Sequence, residues 1–218
     1  MKCFVVLFDV IRSSAVADRE SLTRRMEEAS RICNEKYSSH LAGVFEITKG
    51  DEIAGVLNSA APLFSIYRDI QEVLQPEGVR CAVAWGDITA GLNSRRSSIM
   101  DGPGFYRANE IMLQLKKLQL FWRIFSDGGV IDEALNALVN LYFLEREKLT
   151  PLQRRVYDLY LILGNQQQVA HRLNRTQQQI SATLKSIRWR VLKGAEEAIG
   201  LLLLELDKRI KGERDQKT

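Results

Sequence analysis

Apolar and polar positions follow two rhythms over the first two thirds of the chain. Lys2–Val10 is an apolar run of strand length, rich in β-branched and aromatic residues. It stops at Arg12-Ser13-Ser14. Leu22, Met26, Ala29 and Cys33 then recur at helical spacing and predict a helix over Ala17–Tyr37. Leu41–Thr48 and Glu52–Leu57 read as short strands joined by the tight turn Lys49-Gly50-Asp51, a hairpin. Leu63, Ile66, Ile70 and Val73 line one face of a second helix, and Val79–Trp85 is a further strand ending at Gly86-Asp87. Ser97–Met100 reads as a short strand. Asp101-Gly102-Pro103-Gly104 opens a third helix reaching about Leu118, and Leu120–Phe125 is the last strand before the Asp127-Gly128-Gly129 break. Strand, helix, hairpin, helix, strand and a further helix make an α+β sandwich of one sheet and covering helices.

Beyond Gly129 the strand rhythm disappears. Val130–Glu147 carries Ile131, Leu135, Leu138, Leu141 and Leu144 at three- and four-residue spacings, an amphipathic helix. Thr150-Pro151 restarts the chain, with Pro at the first helical position behind a Thr cap. Gln166–Lys185 then reads as a short helix with Val169, Ala170 and Leu173, a tight turn at Asn174, and a second helix with Ile180 and Leu184. Asn tolerates the left-handed backbone such a turn needs, and Thr176 with Gln179 has capping-box spacing. The expected boundaries are 1–128 for the sheet domain, 129–148 for a connecting helix, 149–192 for an all-α helix-turn-helix domain, and 193–218 for a C-terminal helix and basic tail.

Charge sharpens this picture. The 218 residues carry 31 Lys+Arg against 27 Asp+Glu. From Thr150 onward there are 13 Lys+Arg against 7 Asp+Glu, leaving residues 1–149 slightly acidic. A basic C-terminal third suits a partner such as DNA. The second helix of the motif would enter the major groove with Thr176, Gln177, Gln178, Ser181, Ala182 and Lys185, Gln pairing with adenine and Thr or Ser reaching base edges or phosphate. Arg175, Arg188 and Arg190 suit backbone phosphates. Farther on, Val191, Ala195, Ala198, Leu202, Leu206 and Ile210 form an apolar stripe that either packs on the first domain or joins two chains as a homodimer.

Cys3, Cys33 and Cys81 are odd in number, widely spaced and each amid apolar neighbours, which suits reduced, buried thiols in a cytoplasmic protein. The apolar run at Ile199–Leu204 falls far short of the ~20 residues of a membrane span, and the N-terminal run, broken by Asp9 and Arg12, lacks a signal-peptide cleavage site. Neither a membrane nor export is expected.

In the first domain, Asp9 ends a strand and Asp51 sits in the hairpin turn. Two carboxylates at one sheet edge could share Mg²⁺ or Mn²⁺, hard cations that bridge to the phosphates of a nucleoside triphosphate or other nucleotide. Arg12 and Lys49 flank this edge, and Arg107 is a candidate phosphate clamp.

Phe8-Asp9-Val10 and Gly50-Asp51-Glu52-Ile53 resemble the two metal sites of palm-type nucleotide cyclases, the class III and GGDEF families, implying a palm-like, ferredoxin-like sheet. Val79–Thr89 resembles the cyclase strand ending in Gly-Glu, and Gly102–Glu110 its following helix. Aligned on the glycine, Tyr106 and Glu110 stand where class III cyclases carry an Asn and a phosphoryl-stabilising Arg, and a Glu cannot replace that charge. Leu149–Gly164 resembles the first helices of LuxR-type and sigma-factor region-four helix-turn-helix families, with Arg175 departing from their usual aliphatic residue. The whole chain more closely resembles the SatD family. The resemblance rests on Asp9 followed by Ser13, the Gly50-Asp51-Glu52 hairpin, Gly86-Asp87, and Asp101-Gly102-Pro103 with Arg107. It implies an intracellular bacterial protein linked to stress responses. The expectation is a transcription regulator whose degenerate palm senses a nucleotide with Mg²⁺, with Ser13, Gly50 and Glu52 beside Arg12, Lys49 and Arg107. The alternative is a metal-dependent nucleotidyl transferase or cyclase whose helix-turn-helix serves localisation or assembly.

Overall fold

The computed structural model describes residues 1–215; the last residues of the expected basic tail lie outside them. Five strands form one mixed sheet: β1 (Lys2–Val10), β2 (Leu41–Lys49), β3 (Glu52–Leu57), β4 (Val79–Asp87) and β5 (Trp122–Phe125). Their order is β2-β3-β1-β4-β5. β1 is antiparallel to both neighbours, with Asp9 opposite Glu52 on one side and Arg80 on the other. β5 adds parallel to β4. With α1 (Arg19–Lys36) after β1 and α2 (Leu63–Val73) after β3, the first six elements trace the split βαβ, or ferredoxin-like, path. The α+β expectation holds.

Alternation along β1 explains why it lies at the centre. Every residue from Cys3 to Val10 is buried, so both faces of this strand must be covered. On one face the Phe8 ring meets Phe45 of β2 at 6.1 Å and Tyr67 of α2 at 6.0 Å. On the other, Cys3, Val5 and Leu7 join Ala82 and Ala84 in a cluster with Phe105, Ala108, Ile111, Met112 and Leu115. These last five belong to α3 (Pro103–Leu118). A β-carbon on Gly86 would come within 2.7 Å of the Gly104 Cα; only a glycine pair lets the start of α3 sit so close to β4.

Ser97–Met100 departs from its expected strand. Ser97–Ile99 is a 3₁₀ turn, held by side chains instead of a ladder: Ser97 Oγ donates to the Ala54 carbonyl at 2.8 Å, and Glu46 accepts from the Ser98 N–H at 3.1 Å.

The remaining helices are α4 (Val130–Glu147), α5 (Pro151–Leu163), α6 (Gln166–Leu173), α7 (Gln177–Ser186) and α8 (Trp189–Asp215). The chain divides into two compact units. One comprises residues 1–137 together with those from 200 onward, the other residues 138–199. The expected boundaries therefore shift: α4 and α8 are each shared between units, and the second half of α8 returns to the sheet unit. Asp207 secures it. This carboxylate, 7% exposed, accepts from Ser59 Oγ and from the backbone N–H groups of Ala60 and Ala61. Arg209 pairs with Asp127 at 2.5 Å. In the same unit the buried Asp132, in the first turn of α4, accepts from the Ser126 N–H at 2.7 Å and the Gly128 N–H at 3.0 Å, tying down the Asp127-Gly128-Gly129 break.

The apolar stripe of α8 falls largely where expected, with Ala195, Ala198 and Leu202 half-buried. Leu192, Ile199, Leu203, Leu206 and Ile210 are buried, whereas Val191 is exposed. No helix among the described residues is long and apolar enough to cross a membrane.

Candidate functional site

In the sheet unit, the residue preceding the end of β1 faces the α3 side, in step with Cys3, Val5 and Leu7. That residue is Asp9, 4% exposed. A carboxylate taken so far out of water needs counter-charge. It has two: Lys116 Nζ lies 2.5 Å from Oδ1, and Arg80 Nη1 lies 3.4 Å from Oδ2. Arg80 reaches it because the β1–β4 register sets the two residues opposite each other. Lys116 reaches it from the last turns of α3. The Arg80 Nε, buried, has no acceptor among the described residues.

Asp51 occupies the β2–β3 turn, where Gly50 takes a φ of +44°. Its carbonyl accepts from the Val10 N–H at 3.2 Å, which brings the hairpin turn beside the end of β1. Its carboxylate accepts from Ser13 Oγ. Ser13 opens a 3₁₀ turn behind Arg12, whose backbone is left-handed at φ 55°, and the Ser13 carbonyl accepts from Arg19 Nη1 at 2.6 Å. Glu52 accepts from Thr48 Oγ1 at 2.9 Å; Lys49 and Gly50 are exposed. The structure thus brings Asp9, Arg12, Ser13, Lys49, Gly50, Asp51 and Glu52 to one end of the sheet.

Arg107 is not among them. It lies nine residues before Lys116 in the same helix, roughly 13 Å along its axis. There it stacks over the Phe125 ring at 4.6 Å and pairs with Glu110 at 3.6 Å. Asp101 behaves as a turn former, accepting from the Gly102 N–H at 2.8 Å and the Tyr106 hydroxyl at 3.0 Å. The cations that meet Asp9, Arg80 and Lys116, were not singled out from sequence. Arg80 had a signal: it is the one charge within Val79–Trp85, on the same strand face as Ala82 and Ala84.

Mg²⁺ or Mn²⁺ asks for several free oxygen ligands. Here both Asp9 oxygens face cations, one Asp51 oxygen is engaged by Ser13, and no three of His, Cys, Asp and Glu cluster as a metal site among the described residues. The residues as arranged do not fit the cation.

The second unit is built around α5, α6 and α7. Thr150 caps α5 and Thr176 caps α7, each in a full capping box with the Gln three residues on. Each cap is worth about 1 kcal/mol. Asn165 caps α6 by accepting from the Gln167 and Gln168 N–H groups at 2.8 and 3.2 Å. Asn174 takes the left-handed conformation at φ 51°, and the Arg175 N–H donates back to the Ala170 carbonyl at 2.9 Å. Val156, Tyr157, Val169, Ala170, Ile180 and Leu184 are buried. Below them Glu196 accepts from the hydroxyls of Tyr142 at 2.6 Å and Tyr157 at 2.7 Å. Burial and the Glu196 charge push the Tyr157 hydroxyl far above its ordinary pKa. Arg146 and Asp158 form a bidentate pair at 2.8 and 2.9 Å.

With Ile180 and Leu184 turned inward, α7 faces outward with Gln177, Gln178, Ser181, Ala182 and Lys185. These five, Arg175 and Thr176 in the turn, and Arg188 and Arg190 beyond it are all exposed. Arg190 lies over the Trp189 ring at 5.0 Å.

A family model described as the SatD family matches residues 4–199. No curated protein matches the chain. Among solved structures, a bacterial light-regulated adenylyl cyclase is 12% identical with a TM-score of 0.39, over 57% of this chain and 43% of its own. The guanylyl cyclase Cya2 is 14% identical with a TM-score of 0.36, over 52% and 68%. A regulator of polyketide synthase expression from Bifidobacterium adolescentis is 14% identical with a TM-score of 0.25, over 93% and 86%. Scores this low carry no functional inference.

Proposed function

The chain belongs to the SatD family, and we propose that it is a DNA-binding regulatory protein that reads the major groove with α7. One observation carries this: a helix fixed at its start by the Thr176–Gln179 box and anchored by Ile180 and Leu184 leaves an outward face that is polar except for Ala182. In this reading Gln177 and Gln178 supply bidentate contacts to bases, Thr176 and Ser181 reach base edges or phosphates, and Ala182 meets a thymine methyl. Lys185, Arg175, Arg188 and Arg190 neutralise phosphates and set the salt dependence.

The sheet unit is the regulatory half of the proposal. Its cations Arg12 and Lys49, beside Asp9 and Asp51, would recognise the phosphates of a nucleotide. Binding would control DNA affinity to the extent that it differs between two states of the protein. The transferase or cyclase alternative has no observation in its favour, because the acids it requires are already paired.

The test is selection of a binding site from a random duplex pool, followed by fluorescence-anisotropy titrations over a range of salt. Gln178→Ala should weaken the selected site roughly 5- to 150-fold, leaving non-specific binding unchanged. Arg188→Ala should lower the salt slope by about 1. A wild-type chain that enriches no sequence and binds no duplex at low salt would refute the proposal.

A further inference from the structure

The aspartate that the sequence marks as a metal ligand is the one carboxylate at this sheet end that the protein itself neutralises twice. Asp9 is almost wholly buried, and each of its oxygens faces a different cation. The two cations are not equivalent. Arg80 is fixed by strand register opposite Asp9, is itself largely buried, and stands at the longer distance. Lys116 stands at 2.5 Å and its side chain remains half exposed. Of the two cations it is the more accessible to solvent, 47% exposed against 16% for Arg80.

We infer that the Lys116 ammonium is the resident counter-cation of Asp9 and bars divalent metal from this end of the sheet. A divalent ion binding Asp9 must either displace the ammonium, leaving it unpaired, or sit beside it and meet like-charge repulsion. An ammonium supplies one of the two services of such an ion, neutralisation of a buried carboxylate. It cannot supply the other, coordination of several oxygens at once. The sheet end is therefore specialised for fixed positive charge. The inference concerns the charge on Asp9 and stands independently of the nucleotide reading.

The experiment uses the full chain and Mn²⁺ alone, with free ion read from its electron paramagnetic resonance signal. Wild type should leave equimolar Mn²⁺ free. Lys116→Met, which keeps the apolar stem and removes the charge, should take up one ion per chain at least about tenfold more tightly than wild type, and Asp9→Asn in that background should abolish the uptake. Lys116→Gln is the companion variant should the Met side chain disturb the fold, with thermal melts confirming that each variant is folded. Two results would overturn the inference. One is a wild-type chain that binds one Mn²⁺ and loses it on Asp9→Asn. The other is a folded Lys116 variant that binds no more Mn²⁺ than wild type.

Discussion

Asp207→Ala removes the carboxylate that attaches the second half of α8 to the sheet unit. In the native protein Asp207 satisfies a hydroxyl and two backbone N–H groups at Ser59, Ala60 and Ala61. Ser59 and Ala60 are themselves buried, so water cannot take over without opening the contact. Leaving a buried donor unpaired costs about 1–3 kcal/mol, and two such donors bring the expected loss to roughly 2–6 kcal/mol. For a chain of this size that is a fall in melting temperature on the order of 10 °C. Asp207→Asn keeps the shape and one acceptor oxygen but turns an amide NH₂ toward a donor, so it should cost about half as much. Ser59→Ala in the Asp207→Ala background removes one orphaned donor and should recover about 1 kcal/mol. Urea titration followed by tryptophan fluorescence reports the sheet unit through Trp122, which is fully buried. An Asp207→Ala protein that loses under about 1 kcal/mol, or a double variant no better than the single, would mean that Asp207 does not hold the helix.

Two further outcomes follow from the sheet unit. Arg25 lies 2.5 Å from Glu77 and holds its carboxyl below the ordinary value, a hydrogen bond being the largest cause. The folded chain therefore releases this proton more readily than the unfolded chain. The stabilisation is complete above the unfolded pKa of about 4.3 and is lost as pH falls through the lower folded value. Glu77→Gln should thus flatten the fall of the urea midpoint between about pH 5 and pH 3; an unchanged acid limb would exclude the pair from acid unfolding. All three cysteines are buried, with burial pushing the Cys33 thiol up to about 12 and Cys81 well above its ordinary value. An aromatic disulfide reagent at mild pH should find no fast thiol in the native chain and three in urea; one stoichiometric fast thiol in the folded protein would contradict that burial.

The five strands were legible because their apolar runs end at turn residues, and α1, α2 and α3 because their apolar positions keep helical spacing. The thiols were legible as buried for the same reason. Ser97–Met100 misled because a short apolar-flanked segment carries too few residues to reveal its period, and side-chain bonds from Ser97 and to Glu46 decided its shape. The site was half legible. Asp9 and Asp51 stand at chain signals, a strand end and a turn, whereas their partners depend on register and helix length. Local pattern cannot tell that Lys116 and not Arg107 lies level with Asp9, since that requires knowing where α3 begins on β4, which the Gly86–Gly104 contact sets. The return of α8 was hidden likewise. Asp207 in an exposed-looking charged run gives no sign that its donors lie near residue 60.

The division into residues 1–137 with those from 200 onward, and 138–199 between them, orders events at the ribosome. The donors at Ser59 and Ala60 are synthesised long before their acceptor. At about 5–20 residues per second, residues 138–199 alone occupy roughly 3–12 s of translation, during which the Ser59 and Ala60 donors wait without their acceptor. The unit proposed to read DNA can therefore be complete on a chain whose sheet unit is still open, and a message cut short near codon 200 would release the former without a finished form of the latter.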